Sequence, residues 1–310
     1  MNIGVETGSP WGRGVPETRH EKLVADSVVC EASPYFSRLV FKGVLSDESR
    51  RIEKLDWTFT ATLNKGESIV RFASDLDWNG TNTRVFASVT PAIEHNGNLF
   101  GDVPFGTMER GEPKLTKAEQ IDLPDEWPTL GFAGVSDGEY NIAYLKGGFP
   151  GSRIHEKDLQ IILLRAFECG DPKYNETNDV GRHTSEFALT FWSGDFASGN
   201  CSARAAAFNA HGHTHKLDSS ELSSAGEGCL LPVLTNIPKQ LCLSALKWAE
   251  DGSVPVIRFW ESVGSEVTLK LPENVKLIQC DTLEAPISEN AVSEYTFRPF
   301  EIATFKLFID

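Results

Sequence analysis

Two stretches of this chain gather side chains able to do chemistry. In Asp179-Val180-Gly181-Arg182-His183 a carboxylate, a guanidinium and an imidazole lie almost side by side. An arginine presents several N–H donors in a fixed fork, suited to sugar hydroxyls or phosphate, and a histidine can share a hydrogen bond with it. The plainer reading is a structural turn in which Arg182 pairs with Asp179 or Asp171. In His211-Gly212-His213-Thr214-His215 three imidazoles alternate. On a strand they would share one face and could converge on zinc. Three strictly alternating neighbours reach one tetrahedral ion only through a sharp bend, and Asp218 is the nearest carboxylate. Exposed histidines on a linker are therefore the preferred reading of His211, His213 and His215. Trp11 and Trp127 sit in Pro-rich surroundings and are candidate platforms for stacking on the C–H face of a pyranose. Trp78 closes an alternating strand and reads as core. Glu109-Arg110 reads as an ion pair at a turn, and Phe300 as a core residue at the start of the last strand.

The elements that must carry these residues are strands. Leu55, Trp57, Phe59, Ala61 and Leu63 alternate with polar residues, and Val70, Phe72, Leu76 and Trp78 continue the alternation after a turn at Asn64-Lys65-Gly66. That is the period of a half-buried β-hairpin. Tyr140–Leu145 and Leu159–Leu164 are short apolar runs bounded by Gly, Pro and Asp, as buried strands are. Gly181-Arg182-His183 is expected in the loop before a strand that begins near Phe187. A further alternating strand is expected around Ala203–Phe208. Residues 211–228 are small and polar, the best candidate for an interdomain linker. Beyond them apolar runs recur roughly every 8–14 residues, the rhythm of a small sandwich. The βαβ alternation of a barrel or nucleotide-binding sheet is missing.

Composition sets the bounds. The 310 residues suffice for two domains or one large one, and 40% apolar with 24% charged residues is ordinary for a globular protein. Nineteen Phe and seven Trp favour strands. A formal charge of −15 without a basic block disfavours nucleic acid and anionic membrane surfaces as partners. Sugars are neutral, so the charge is compatible with a carbohydrate partner without arguing for one. The six cysteines are widely and irregularly spaced, and the N-terminus shows neither a basic n-region nor an apolar h-region. No apolar run is long enough to span a membrane. The expectation is a cytoplasmic, all-β protein with reduced thiols.

Beyond these physical readings, Val135–Phe196 resembles the C-terminal region of the glycoside hydrolase family 38 α-mannosidases. The matching runs are VSDGEYNIAYLKGGF, LQIILLRAFECGDP and DVGRHTSEFALTFWSGDF. Glu6-Thr7-Gly8-Ser9-Pro10-Trp11, Leu76-Asp77-Trp78 and Val103-Pro104-Phe105-Gly106 with Glu109-Arg110 are similar to further family motifs in the same order. So are Ile257-Arg258-Phe259-Trp260-Glu261 and Arg298-Pro299-Phe300-Glu301-Ile302-Ala303-Thr304.

The resemblance implies a large antiparallel β-supersandwich, galactose mutarotase-like, over about residues 1–215, then a small β-sandwich over 225–310. It also implies that the catalytic β/α barrel, a helical bundle and the first strands of the large domain lie outside this chain. In the family the barrel carries a zinc held by Asp and His, an Asp nucleophile and an Asp acid/base. No such motif is matched here, so no catalytic residue and no metal ligand is assigned, and zinc is expected only in the intact enzyme. Retaining hydrolysis needs two carboxylates about 5 Å apart with separated pKa values, and no pair of acidic residues is marked by spacing. The chain alone is expected to be inactive, and to act on mannosides or glycans only with a separately encoded barrel. Arg182 and His183 are then candidates for one wall of the mannose pocket. A free-standing carbohydrate-binding module and a truncated, inactive product are the alternatives.

Overall fold

The alternation along Leu55–Leu63 and Val70–Trp78 builds the spine of the first half of the molecule. The computed structural model describes residues 1–5, 20–111, 126–148, 151–167, 178–210, 234 and 237–309. In chain order the strands of the first half are β1 (Asn2–Val5), β2 (His20–Lys22), β3 (Ser27–Ala32), β4 (Phe36–Asp47), β5 (Ile52–Asn64), β6 (Ile69–Gly80) and β7 (Thr83–Val89). They continue with β8 (Leu99–Val103), β9 (Gly106–Arg110), β10 (Glu126–Pro128), β11 (Phe132–Ser136), β12 (Tyr140–Lys146), β13 (Gly151–His155), β14 (Asp158–Ala166) and β15 (Gly181–Ser193). Helix α1 (Cys201–Asn209) precedes β16 (Leu241–Trp248), β17 (Pro255–Glu261), β18 (Val267–Lys270), β19 (Val275–Cys280), β20 (Glu294–Phe297) and β21 (Ile302–Ile309).

The chain is nearly all β and divides into two compact units: Met1–Asp102 with Met108–Gly199, and Val103–Thr107 with Asn200–Asp310. The first holds a six-stranded sheet, β10-β13-β14-β7-β1-β2, and a nine-stranded sheet, β3-β4-β5-β6-β15-β12-β11-β8-β9. Apolar residues of both sheets meet in one core. Ile3, Val85, Leu159 and Ile161 come from the smaller sheet, and Leu55, Leu76, Trp78, Val135, Tyr144 and Phe187 from the larger. An aromatic ladder crosses the inner face of the larger sheet. Phe59 stacks on Phe72 at 5.4 Å, Phe72 on Phe187 at 5.3 Å, and Tyr144 meets Phe187 edge-on at 5.7 Å. Such pairs add to area burial because ring edges and faces carry opposite partial charge.

The second unit stacks the two-stranded sheet β18-β20 against the four-stranded sheet β16-β17-β21-β19. Phe259, Phe297, Phe305, Leu269 and Leu307 fill the space between them. This is the small sandwich the recurring apolar runs predict.

The hairpin of β5 and β6 turns at residues 64–66 as its pattern predicts. Four details differ from the sequence reading. Ala203–Phe208 lies in a helix, α1, where a strand is predicted from alternation. Four of its nine residues are alanine, the best helix former, and the Asn200 side chain accepts from the Ala203 amide as its cap. Gly181-Arg182-His183 is not loop but the first part of β15, paired with Trp78, Asp77 and Leu76 of β6. Phe300 is 41% exposed with a φ of 57°, in a turn before β21, so it does not fill the core. Glu109 and Arg110 have separate partners: the Asn98 side chain donates to Glu109, and the Arg110 guanidinium lies 5.0 Å from the Trp127 ring centre. Neighbouring residues of one strand point to opposite faces, which separates them. No helix among the described residues is long and apolar enough to cross a membrane.

Candidate functional site

The long register between β6 and β15 decides where the candidate residues point. Arg182 lies opposite Asp77, and His183 opposite Leu76. Adjacent residues of a strand face opposite ways, so Arg182 projects from the outer face of the nine-stranded sheet while His183 faces inward, half-buried. The two residues that adjoin in sequence are thereby split between environments. His183 Nε2 lies 2.7 Å from the Asp179 carbonyl oxygen, a contact that ties the strand to the turn before it.

On the outer face Arg182 reaches diagonally to Asp75 and grips it with two bonds, Nε to Oδ1 at 2.8 Å and Nη2 to Oδ2 at 2.5 Å. Its partner among the described residues is thus 107 positions away and is not Asp179; Asp171, the other partner expected, lies outside the described residues. The Arg182 hydrogen bond holds the Asp75 carboxyl below the usual carboxylate range, and Asp75 in turn raises the guanidinium. With Arg182 71% and Asp75 36% exposed, the pair is strongly screened and adds little to stability. Lys54 bridges Asp77 and Asp56 at 2.5 and 3.0 Å, and those carboxylates raise its pKa. The Asp26 carboxylate accepts from the Val44 amide at 2.9 Å.

These groups border an open groove of about 580 Å³, with Asp26, Lys42, Asp56, Thr58, Asp75 and Arg182 on its walls. Gly43 and Trp57, opposite one another in the β4–β5 register, form its floor. The floor needs glycine, since a β-carbon on Gly43 would fall 2.5 Å from the Trp57 ring. Gly43→Ala should therefore displace Trp57 and destabilise the first unit by about 1–3 kcal/mol. Urea unfolding followed by tryptophan fluorescence reads this, and an unchanged midpoint would show that the ring can yield.

A second polar groove, of about 630 Å³, lies where β15 begins, lined by Glu48, Arg51, Glu53, Asn79, Thr81 and Asn178 among others. Asn178 anchors it: its carbonyl accepts from Trp78 Nε1 at 2.8 Å, and its side-chain oxygen from Thr81 at 2.7 Å. Trp78 is 1% exposed and serves the core.

Both grooves offer carboxylates and hydroxyls to a neutral polyol, and the second adds side-chain amides, but neither has the layout of a hydrolytic centre. A general acid must keep its proton near neutrality. Each carboxyl of the described residues whose shift is resolved moves the other way, Asp75 included. Among the described residues no group of three or more His, Cys, Asp or Glu is placed to hold a metal ion.

The remaining candidates are dispersed. Trp127 lies on β10, in the six-stranded sheet, half-buried against the core with Arg110 over its ring, so one potential stacking surface already has an occupant. Trp11, His211, His213 and His215 lie outside the described residues.

Two groups escaped the sequence reading. Lys146 is fully buried, its ammonium bonded to the Thr129 carbonyl and hydroxyl at 2.5 and 2.6 Å and to the Ser152 hydroxyl at 2.9 Å. Burial pushes its pKa down to about 7, with Asp102 opposing. A neutral buried amine is a common catalytic device, but Thr129 and Ser152 are also fully buried, which denies it a substrate. Glu261, at the end of β17, is likewise fully buried and accepts from four backbone amides, those of Val263, Gly264, Ser265 and Phe300. Only charge at the end of an apolar run hinted at either.

Residues 16–173 match the family model for the glycosyl hydrolases family 38 C-terminal domain, and residues 240–305 match that for the family 38 C-terminal beta sandwich domain. Among solved structures the chain is similar to a glycosyl hydrolase family 38 protein from Enterococcus faecalis, with 15% identity and a TM-score of 0.72 over 98% of this chain and 39% of that one. It is also similar to an alpha-mannosidase from Enterococcus faecalis, with 14% identity and a TM-score of 0.73 over 98% of this chain and 38% of that one. At such identities the likeness is one of fold. The chain spans about two fifths of the length of these structures. No curated protein matches it.

Proposed function

The chain belongs to glycosyl hydrolase family 38, whose C-terminal domains it carries, and from this we propose that it is the non-catalytic β portion of a mannoside-hydrolysing enzyme. The observation that carries the reading is the match of 98% of this chain to only 39% of a family 38 protein. In this reading the nucleophile, the acid/base and the zinc ligands belong to a barrel supplied by the remainder of the enzyme. The β portion contributes a wall of the mannose pocket, and Arg182, fixed by Asp75, is its candidate contact. A guanidinium held by one carboxylate keeps outward N–H donors for a sugar hydroxyl. Free thiols at Cys30, Cys201, Cys242 and Cys280 suit a reducing compartment such as the cytoplasm.

The test is an α-mannosidase assay in the presence of zinc. This chain alone is expected to be inactive, and addition of a barrel-bearing chain encoded beside it is expected to restore turnover. Arg182→Ala should then lower kcat/KM roughly tenfold, the usual scale for losing one positioning contact. Turnover by this chain alone would overturn the proposal.

The outer groove also favours a second reading, a carbohydrate-binding module. It predicts millimolar binding of methyl α-mannoside by the isolated chain, the scale of a small polar ligand in an open site. Titration calorimetry would register that binding and its loss in Arg182→Ala. Absence of heat at saturating sugar leaves the enzyme-portion reading alone.

A further inference from the structure

We propose that Asn96-Gly97, in the loop between β7 and β8, is a self-modification site at which Asn96 deamidates through a succinimide with His95 as the base. The chain contains two Asn-Gly pairs, Asn79-Gly80 and Asn96-Gly97. Such a pair is open to this chemistry because glycine puts no side chain beside the attacking amide. Three things speed the reaction: an unhindered backbone amide, a base for the proton on that amide, and a donor for the oxyanion that forms on the side-chain oxygen. The loop supplies a group for each role.

Gly97 is exposed, with a φ of 84°, and a β-carbon built on it would meet nothing within 4 Å. Its amide donates to His95 Nδ1 at 3.3 Å. On the other side of the ring, Nε2 lies 3.1 Å from the Lys157 carbonyl oxygen. A carbonyl oxygen only accepts, so Nε2 carries the ring proton and Nδ1 presents its lone pair to the Gly97 amide. The turn between β13 and β14, which holds Lys157, thereby selects the tautomer that a base requires. The Asn96 side-chain oxygen accepts from the Asn98 amide at 3.0 Å. That donor is already aimed at the oxygen on which negative charge develops, and the Asn98 side chain is itself tied to Glu109.

In the reaction the Gly97 nitrogen passes its proton to His95 Nδ1 and bonds to Asn96 Cγ. The Cγ–Nδ2 bond then breaks, and Nδ2 takes the proton back from the imidazolium and leaves as ammonia. Water adds to either carbonyl of the succinimide and opens it, giving aspartate or isoaspartate. The product carries one more negative charge, and isoaspartate lengthens the backbone by a methylene just before β8. Asn79-Gly80 lacks this freedom. It ends β6, with Asn79 opposite Lys54 and Gly80 opposite Ile52, and the Asn79 side-chain amide donates to Glu53 at 2.6 Å. Ring closure there first requires the strand pairing to open.

Peptide mapping by mass spectrometry over a time course in neutral buffer tests this, with Asn79 as the internal reference. His95→Gln is the variant, since glutamine can still donate to the Lys157 carbonyl but carries no basic nitrogen, and thermal melting confirms that it folds. In the parent chain Asn96 should convert to aspartate and isoaspartate about tenfold faster than Asn79, less than a closely placed base supplies because a bond of 3.3 Å is long. His95→Gln should remove most of that difference. In urea the two sites should convert at similar rates, because the arrangement of His95, Asn98 and Lys157 is lost. An Asn96 that outlasts Asn79, an unchanged rate in folded His95→Gln, or a preference for Asn96 that persists in urea would overturn the proposal.

Discussion

Glu261→Ala is expected to cost the second unit about 3 kcal/mol or more of stability. The carboxylate is fully buried and accepts from the amides of Val263, Gly264 and Ser265 at 2.9, 2.8 and 3.2 Å, and of Phe300 at 3.0 Å. Removing it leaves several backbone donors without a partner, each costing roughly 1–3 kcal/mol unless water enters. It also unties two turns, 262–265 and 298–301, both of which donate to this side chain. Glu261→Gln keeps the volume but turns an NH2 group towards donors, so its cost should be intermediate. The urea midpoint of the second unit's transition measures both. A Glu261→Ala midpoint equal to that of the parent chain would show that solvent replaces the carboxylate without penalty.

Lys146 should make the stability of the first unit rise with pH. Its pKa is pushed down to about 7 by burial, from the ordinary 10.5 that an unfolded chain restores. Between those values the unfolded state binds more protons than the folded one, so unfolding free energy increases with pH. Below pH 7 both states are protonated and the contribution is flat. From pH 7 to about 8.5 the gain is about 2 kcal/mol. At higher pH another group opposes it. Burial raises Tyr144 in the same unit, so the unfolded state loses that proton first and stability falls. Lys146→Met keeps the length and removes the titration, while Thr129 and Ser152, 2.7 Å apart, can bond to each other. Urea unfolding at a series of pH values should show the slope in the parent and not in Lys146→Met. Equal slopes would mean that the three acceptors around the amine hold its proton well above neutrality.

The features legible in the sequence are those that local pattern encodes. The alternation of Leu55, Trp57 and Phe59 and of Phe72, Leu76 and Trp78 places the β5–β6 hairpin and its core face. The apolar runs at Tyr140–Leu145 and Leu159–Leu164 lie within the interior strands β12 and β14. Where two local signals compete, pattern is a poor judge. Around Ala203–Phe208 alternation suggests a strand, but four alanines and the Asn200 cap decide for a helix. At Gly181-Arg182-His183 glycine and charge suggest a loop, but a complete ladder to β6 extends the strand through them.

By itself the sequence determined the all-β class, the principal hairpin and the family, because each rests on residues close together or on motifs in a set order. Tertiary structure alone decided which groups act together. It set Arg182 on Asp75 across 107 residues, sent His183 to the opposite face and gathered four amides on Glu261. The physical reason is that period-2 patterning specifies which face of a strand is buried, but not which strand lies beside it. Strand order is settled by long-range pairing across the whole sheet.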